Sequence, residues 1–133
     1  MSWDSYITGP SGLLNRGPIE KAGIFGVNGA VWAESGIQPD YQELLAIAAL
    51  FSDPSPGYAN GFILGGQKFT LIRIDEEMLH GKAKTMEGGS PNPITIQKTT
   101  QALVTAVGKA DAPAGQVSMA VGAIGDYLAK AGY

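Results

Sequence analysis

The sequence predicts an α+β fold. Its centre is an antiparallel sheet of about six to seven strands, with the N- and C-terminal helices packed together on one face and a further helix on the other. Three observations predict it. Short apolar segments separated by turn residues recur between residues 22 and 107, at hairpin spacing. Helical spacing of apolar residues is confined to the start of the chain, to residues 44–51 and to the stretch after residue 115. The composition, 44% hydrophobic and 16% charged, is that of a chain with a core, and 133 residues suit one domain over 1–133.

The elements follow in order. Ser2 is placed to cap a first helix, with Asp4 in its first turn, where a negative charge suits the helix dipole. Gly9-Pro10 stops that helix, and residues 10–18 read as a loop. Ala22 to Val27 is a strand, Asn28-Gly29 a type I′ hairpin turn, and Ala30 to Glu34 the returning strand. Gln38-Pro39-Asp40 opens a helix carrying Leu44, Leu45, Ile47, Ala48 and Phe51, and Asp53-Pro54-Ser55-Pro56-Gly57 ends it. A short strand Phe62 to Leu64, the pair Gly65-Gly66 and a strand Gln67 to Ile74 come next. Phe69, Leu71, Ile72 and Ile74 are apolar at both parities, which predicts a central strand buried on both sides. Asp75-Glu76-Glu77 is a solvated turn, and Met78 to Lys84 a weaker strand. Thr85 to Pro93 is a Gly/Pro-rich loop, long for a hairpin. Ile94 to Lys98 and Gln101 to Val107 are the last strands. Ala112-Pro113-Ala114-Gly115 precedes a final helix with the apolar stripe Val117, Val121, Ile124 and Leu128.

Composition narrows the function. A net charge of −3 without a basic block argues against nucleic acid as partner. Absence of cysteine excludes disulfides and cysteine metal sites, and a single histidine, His80, excludes a His-rich metal site. The apolar run Leu44 to Phe51 is too short to span a bilayer, and the start lacks a secretory pattern, so a soluble cytoplasmic protein is expected. No catalytic constellation, metal site or cofactor site is legible. Gly61 to Lys68 lacks the ending of a phosphate loop, and Asp75-Glu76-Glu77 lacks the spaced oxygens of a calcium loop. His80, beside Met78 and Leu79, reads as a surface or packing residue.

The aromatic residues carry the positive signal. Trp3 and Tyr6 share a helical face, Trp32 follows the first hairpin turn, and Tyr127 and Tyr133 close the chain. Side-by-side terminal helices would gather these rings, and by spacing alone Trp3, Tyr6, Trp32 and Tyr127 fit ordinary packing between helices and sheet as well as a ligand surface. A polyproline II ligand offers flat pyrrolidine ridges and unpaired carbonyls, at about three residues per turn. Rings that grip those ridges while Trp N–H and Tyr O–H donate to the carbonyls would bind it, and its preformed conformation keeps the entropic cost low.

Met1-Ser2-Trp3 with Tyr6, Val31-Trp32-Ala33, Leu71-Ile72-Arg73-Ile74-Asp75, His80-Gly81-Lys82, Asp126-Tyr127-Leu128 and Gly132-Tyr133 fall in the order seen in profilins, and the chain resembles that family over essentially its whole length. The resemblance implies a cytoplasmic, cytoskeletal, monomeric protein that is not an enzyme. It implies binding to the actin monomer and to proline-rich proteins such as formin-type elongation factors, faster nucleotide exchange on actin, and an affinity for acidic phosphoinositides. It places polyproline binding on Trp3, Tyr6, Trp32, Tyr127, Leu128 and Tyr133. It places actin binding on Lys68, Arg73, Lys82 and Lys98, with Gly115, Gln116 and Met119 at the start of the last helix. Lys82, Lys84 and Lys98 are the implied phosphoinositide contacts.

The chain also departs from the family pattern. Asp4 stands where Gln is frequent, and Gly9-Pro10 where the first helix usually continues. His80 replaces a frequent Tyr, and Gly122-Ala123 a frequent Glu-Lys pair. Without the resemblance, the same pattern also fits a sheet-plus-helix scaffold that dimerises or senses a ligand and has no actin role.

Overall fold

The computed structural model describes residues 3–84 and 92–133. Along the chain lie α1 (Ser5–Thr8), a 3₁₀ turn (Leu13–Asn15), β1 (Ile19–Gly26), β2 (Val31–Ser35), α2 (Tyr41–Leu50), α3 (Ser55–Asn60) and β3 (Phe62–Leu64). Then follow β4 (Gln67–Ile74), β5 (Met78–Ala83), β6 (Pro93–Lys98), β7 (Ala102–Gly108) and α4 (Ala114–Lys130). The strands form one seven-stranded sheet in the order β2-β1-β7-β6-β5-β4-β3, antiparallel throughout. This is the α+β architecture the sequence predicts.

Alternation of side chains along the strands supplies two cores, one on each face. On one side Leu44, Ile47 and Leu50 of α2 pack on Phe25, Phe62, Phe69, Leu71, Ile94, Ile96 and Leu103. On the other, Ile7 of α1 and Val117, Val121, Ile124 and Leu128 of α4 pack on Ala22, Ile24, Ala102, Val104 and Ala106. The small residues of β1 and β7 let α4 approach the sheet. The α4 side of β6 is polar instead and bonds to the helix: Thr95 Oγ1 lies 3.1 Å from Ser118 Oγ, and Gln97 Nε2 donates to Asp126 Oδ1 at 3.0 Å.

Several local expectations are corrected. The strand buried along its whole length is β7, whereas β4 lies next to the sheet edge with Ile72 51% exposed. A bulge between Leu71 and Arg73, opposite Gly81 and His80, inserts Ile72 and resets the alternation, which is why both parities look apolar. In the first hairpin the positive φ sits on Gly29 (92°) and not on Asn28, so the turn is not type I′. Gly65 and Gly66 (60° and 78°) do supply the two positive φ values a type I′ turn needs. α1 begins only at Ser5, after Asp4 as N-cap, while the expected cap Ser2 lies outside the described residues. The 10–18 loop contains the 3₁₀ turn, anchored by buried Leu13. The run from Asp53 to Gly57 ends α2 but also opens α3, because Pro56 in a first turn sacrifices no helical hydrogen bond. Ala114 and Gly115 already belong to α4, with Pro113 as N-cap. Of the loop expected over Thr85 to Pro93, residues 85–91 lie outside the described residues, and Pro93 opens β6.

Two carboxylates lock turns. Glu43 Oε1 accepts the N–H of Asp40 (2.9 Å) at the start of α2 and that of Gly65 (2.8 Å), while Oε2 accepts from Gly66 (3.1 Å). One side chain thus caps a helix and ties it to the β3–β4 turn. Asp75 Oδ1 accepts from the N–H groups of Glu77 and Met78, both at 2.8 Å, and these bonds, Met78 first, hold its carboxyl below its ordinary pKa.

Candidate functional site: an aromatic platform and an open sheet face

α1 is short, so contacts outside it must position Trp3 and Tyr6. Ile7 is buried beneath them. Beyond the helix stop, Asn15 Nδ2 donates to the Gly9 carbonyl at 2.8 Å and Arg16 Nε to that of Ser11 at 2.7 Å, which ties down the Gly9-Pro10 segment. Tyr133 is pinned from two sides: its N–H donates to the Leu128 carbonyl (2.9 Å), and its own carbonyl accepts from Thr99 Oγ1 (2.8 Å).

These anchors bring the predicted rings together. Trp3 is the hub, with ring centroids 4.7 Å from Trp32, 4.9 Å from Tyr133 and 5.6 Å from Tyr6. Tyr6 in turn lies 5.9 Å from Tyr127, and Trp32 6.1 Å from Tyr133. Tilted and edge-on pairs at these distances are mutually attractive. Tyr127 and Tyr133 are 50% and 40% exposed, and Trp3, Tyr6 and Trp32 are half-buried, so the row is a surface with fixed rings. Burial, and then the neighbouring Tyr127 hydroxyl, raise the Tyr6 pKa, keeping the phenol a donor near neutral pH. Leu128 is the exception. It has no exposed surface and belongs to the core beneath the platform, so it is not a contact.

A second surface lies at the other end of the sheet. α4 covers β6 and β7 but leaves the outer side of β3–β5 open. Arg73, His80, Lys82, Gly115 and Ser118 line one cleft there, of about 280 Å³, with Ile72 and Thr95. Exposed Met119 and Gln116 flank it on α4, and Ile63 and Ile72 are about half exposed. Three cationic candidates fall outside this cleft. Lys68 pairs with Ile63 at the sheet edge, but its stem passes Gly61 into a groove lined by Ala46, Ala49 and Phe62. Lys98 sits beside Glu76, Glu77 and Asp126, an acidic setting. Lys84 is next to the Lys68 backbone. Lys82 pairs with Pro93, and Lys98 is at the far end of the same strand, so the two are about 17 Å apart along it. Lys82, Lys84 and Lys98 therefore form no single headgroup cluster.

The sequence did not single out Ile63, Thr95 or Ser118, or Ile72 as an exposed residue. Ser118 Oγ donates to the Ala114 carbonyl (3.1 Å) and lies 3.3 Å from His80 Nδ1 and 3.1 Å from Thr95 Oγ1. The network joins β5, β6 and α4 under the cleft. Burial, and then the nearby Arg73 charge, lower the His80 pKa against an opposing pull from Asp75, so the ring is neutral at pH 7. Among the described residues no cluster of three His, Cys, Asp or Glu side chains is placed to hold a metal.

The profilin family model matches residues 1–133. The chain belongs to the profilin family. Profilins are non-enzymatic actin-binding proteins. Among solved structures, Schizosaccharomyces pombe profilin is 30% identical, with a TM-score of 0.83 over 99% of this chain and 100% of that one. Acanthamoeba castellanii profilin II is 28% identical, with a TM-score of 0.86 over 99% and 100%. Mouse profilin IIa, solved in complex with a double repeat from the FH1 domain of mDia1, shares the fold at 23% identity, with a TM-score of 0.86 and full coverage of both chains.

Proposed function

We propose that this profilin holds proline-rich segments on the aromatic platform and an actin monomer on the open sheet face, and so regulates actin polymerisation. The observation that carries the reading is the row of five adjoining rings, which matches the flat ridges and free carbonyls of a polyproline II helix. The FH1 complex of the mouse relative supports the same ligand class. Arg73, Lys82, Gly115, Gln116 and Met119 are the proposed actin contacts, with Ile63 and Ile72 supplying apolar area and Lys68 a rim charge. Faster nucleotide exchange on actin follows if the bound form of actin is the more open one, because tighter binding to that conformation shifts the population toward it. For anionic headgroups, Lys82 and Lys84 are the proposed contacts, about 1 kcal/mol each near a charged surface. Pelleting with phosphoinositide vesicles no greater than with neutral ones would reject that part.

The test of the platform uses the chain's own reporters. Both tryptophans, Trp3 and Trp32, lie in it. Titration with oligoproline should change their fluorescence saturably, and Tyr6→Ala should weaken binding about tenfold or more, as expected for a central aromatic contact. Unchanged emission at saturating ligand, with the fold intact, removes the platform reading.

A further inference from the structure

The ring row does not end at a wall. Beside Tyr6 and Tyr127 it opens into a hollow of about 410 Å³ lined also by Gly9, Pro10, Arg16 and Ala123. Two sequence features create it. α1 stops at Gly9-Pro10, and α4 carries small Ala123 where a long side chain would fill the space. The hollow is continuous with the platform because Tyr6 and Tyr127 belong to both.

Of the lining residues only Arg16 is charged. Its Nε donates to the Ser11 carbonyl at 2.7 Å, which fixes the guanidinium, and its terminal nitrogens make no hydrogen bond within the described residues. A polyproline helix advances about 3.1 Å per residue, so two residues span one ring-to-ring step on this platform. A segment that runs past Tyr127 therefore meets the hollow directly. A flat pyrrolidine ridge leaves it unfilled, whereas a longer side chain ending in a carboxylate fills the space and reaches a planar fork of donors.

We propose that this hollow is a charge-selective subsite of the proline-rich ligand, occupied by an acidic side chain flanking the proline tract. The inference rests on the polyproline reading above and adds a preference among such ligands. The test compares plain oligoproline with oligoprolines carrying Glu or Lys at either end, at low salt, by tryptophan fluorescence. Because a polyproline helix can lie in either direction, both ends are tested. One Glu-flanked peptide should bind about threefold more tightly than its Lys counterpart, the size expected for a partly exposed ion pair. Arg16→Gln should erase that preference, Arg16→Glu should reverse it, and Arg16→Lys, which keeps the charge but loses the Ser11 bond, should retain it. Plain oligoproline binding with no preference for Glu, or a preference that survives in Arg16→Gln, overturns the subsite and leaves the platform standing. Failure of plain oligoproline to bind overturns both.

Discussion

His80 shows at the scale of one residue how the candidate actin face is tuned. The ring is half-buried between Ser118, Thr95 and Arg73, and a charge there would be poorly solvated and close to a cation. Because its folded pKa is depressed, the unfolded chain binds a proton at His80 before the folded chain does. Stability should therefore fall as pH drops through 6.5, the ordinary value, toward the folded value, and stay level above it. Asp75 is also depressed, so its contribution is present above 3.8 and is lost only as pH falls through its lower folded value. The windows are separate. The denaturant midpoint of wild type should fall relative to that of His80→Gln as pH drops from 7 to 5, and parallel curves would show that His80 is not the group titrating. The ring residues were legible through the order of their motifs along the chain and not through spacing, since aromatic pairs at helical spacing usually pack in a core. Leu128 was legible as core from the apolar stripe it shares with Val117, Val121 and Ile124, and only the resemblance put it beside Tyr127 on the platform. Adjacent helical positions differ by about 100° of rotation, which here takes one side chain to the surface and the other to the core.

At the scale of the element, α4 supports opposite predictions for two of its glycines. A Cβ on Gly122 would meet nothing, so Gly122→Ala should stabilise the fold by about 0.5–1 kcal/mol through helix propensity alone. Gly125 lies against the amide of Gln97, which is 5% exposed and bonded to Asp126. Gly125→Ala must displace that amide and leave polar groups unpaired, at a cost of about 1–3 kcal/mol. Thermal denaturation of both variants checks the pair, and equal shifts would contradict the packing of α4 on β6. Most elements were legible because apolar period and turn residues agree along the chain. The misreadings occurred where one signal has two meanings. Pro-Ser-Pro-Gly both ends α2 and opens α3, and Ile72 looks buried in sequence because a bulge leaves no mark on composition.

The whole molecule separates its two proposed surfaces. The platform is built on β2 and the terminal helices, at one edge of the sheet, and the open face lies on β3–β5, at the other. From β2 to β4 is five strand spacings, about 24 Å. Groups that far apart with no shared partner contribute additively, within about 0.5 kcal/mol. α4 alone reaches both, with Met119 near its start and Tyr127 near its end, about 12 Å apart along the axis. Its buried stripe and its contacts with Thr95 and Gln97 hold it to the sheet along its length. Tyr6→Ala should thus lower proline affinity and leave actin affinity unchanged, and Arg73→Glu the reverse. In the double variant the two losses should add. Saturating oligoproline should change actin affinity by less than about twofold, measured by calorimetry with monomeric actin. A coupling above about fivefold would require a movement of α4, and Gly122, at its centre and free of contacts, is where its hinge would have to lie.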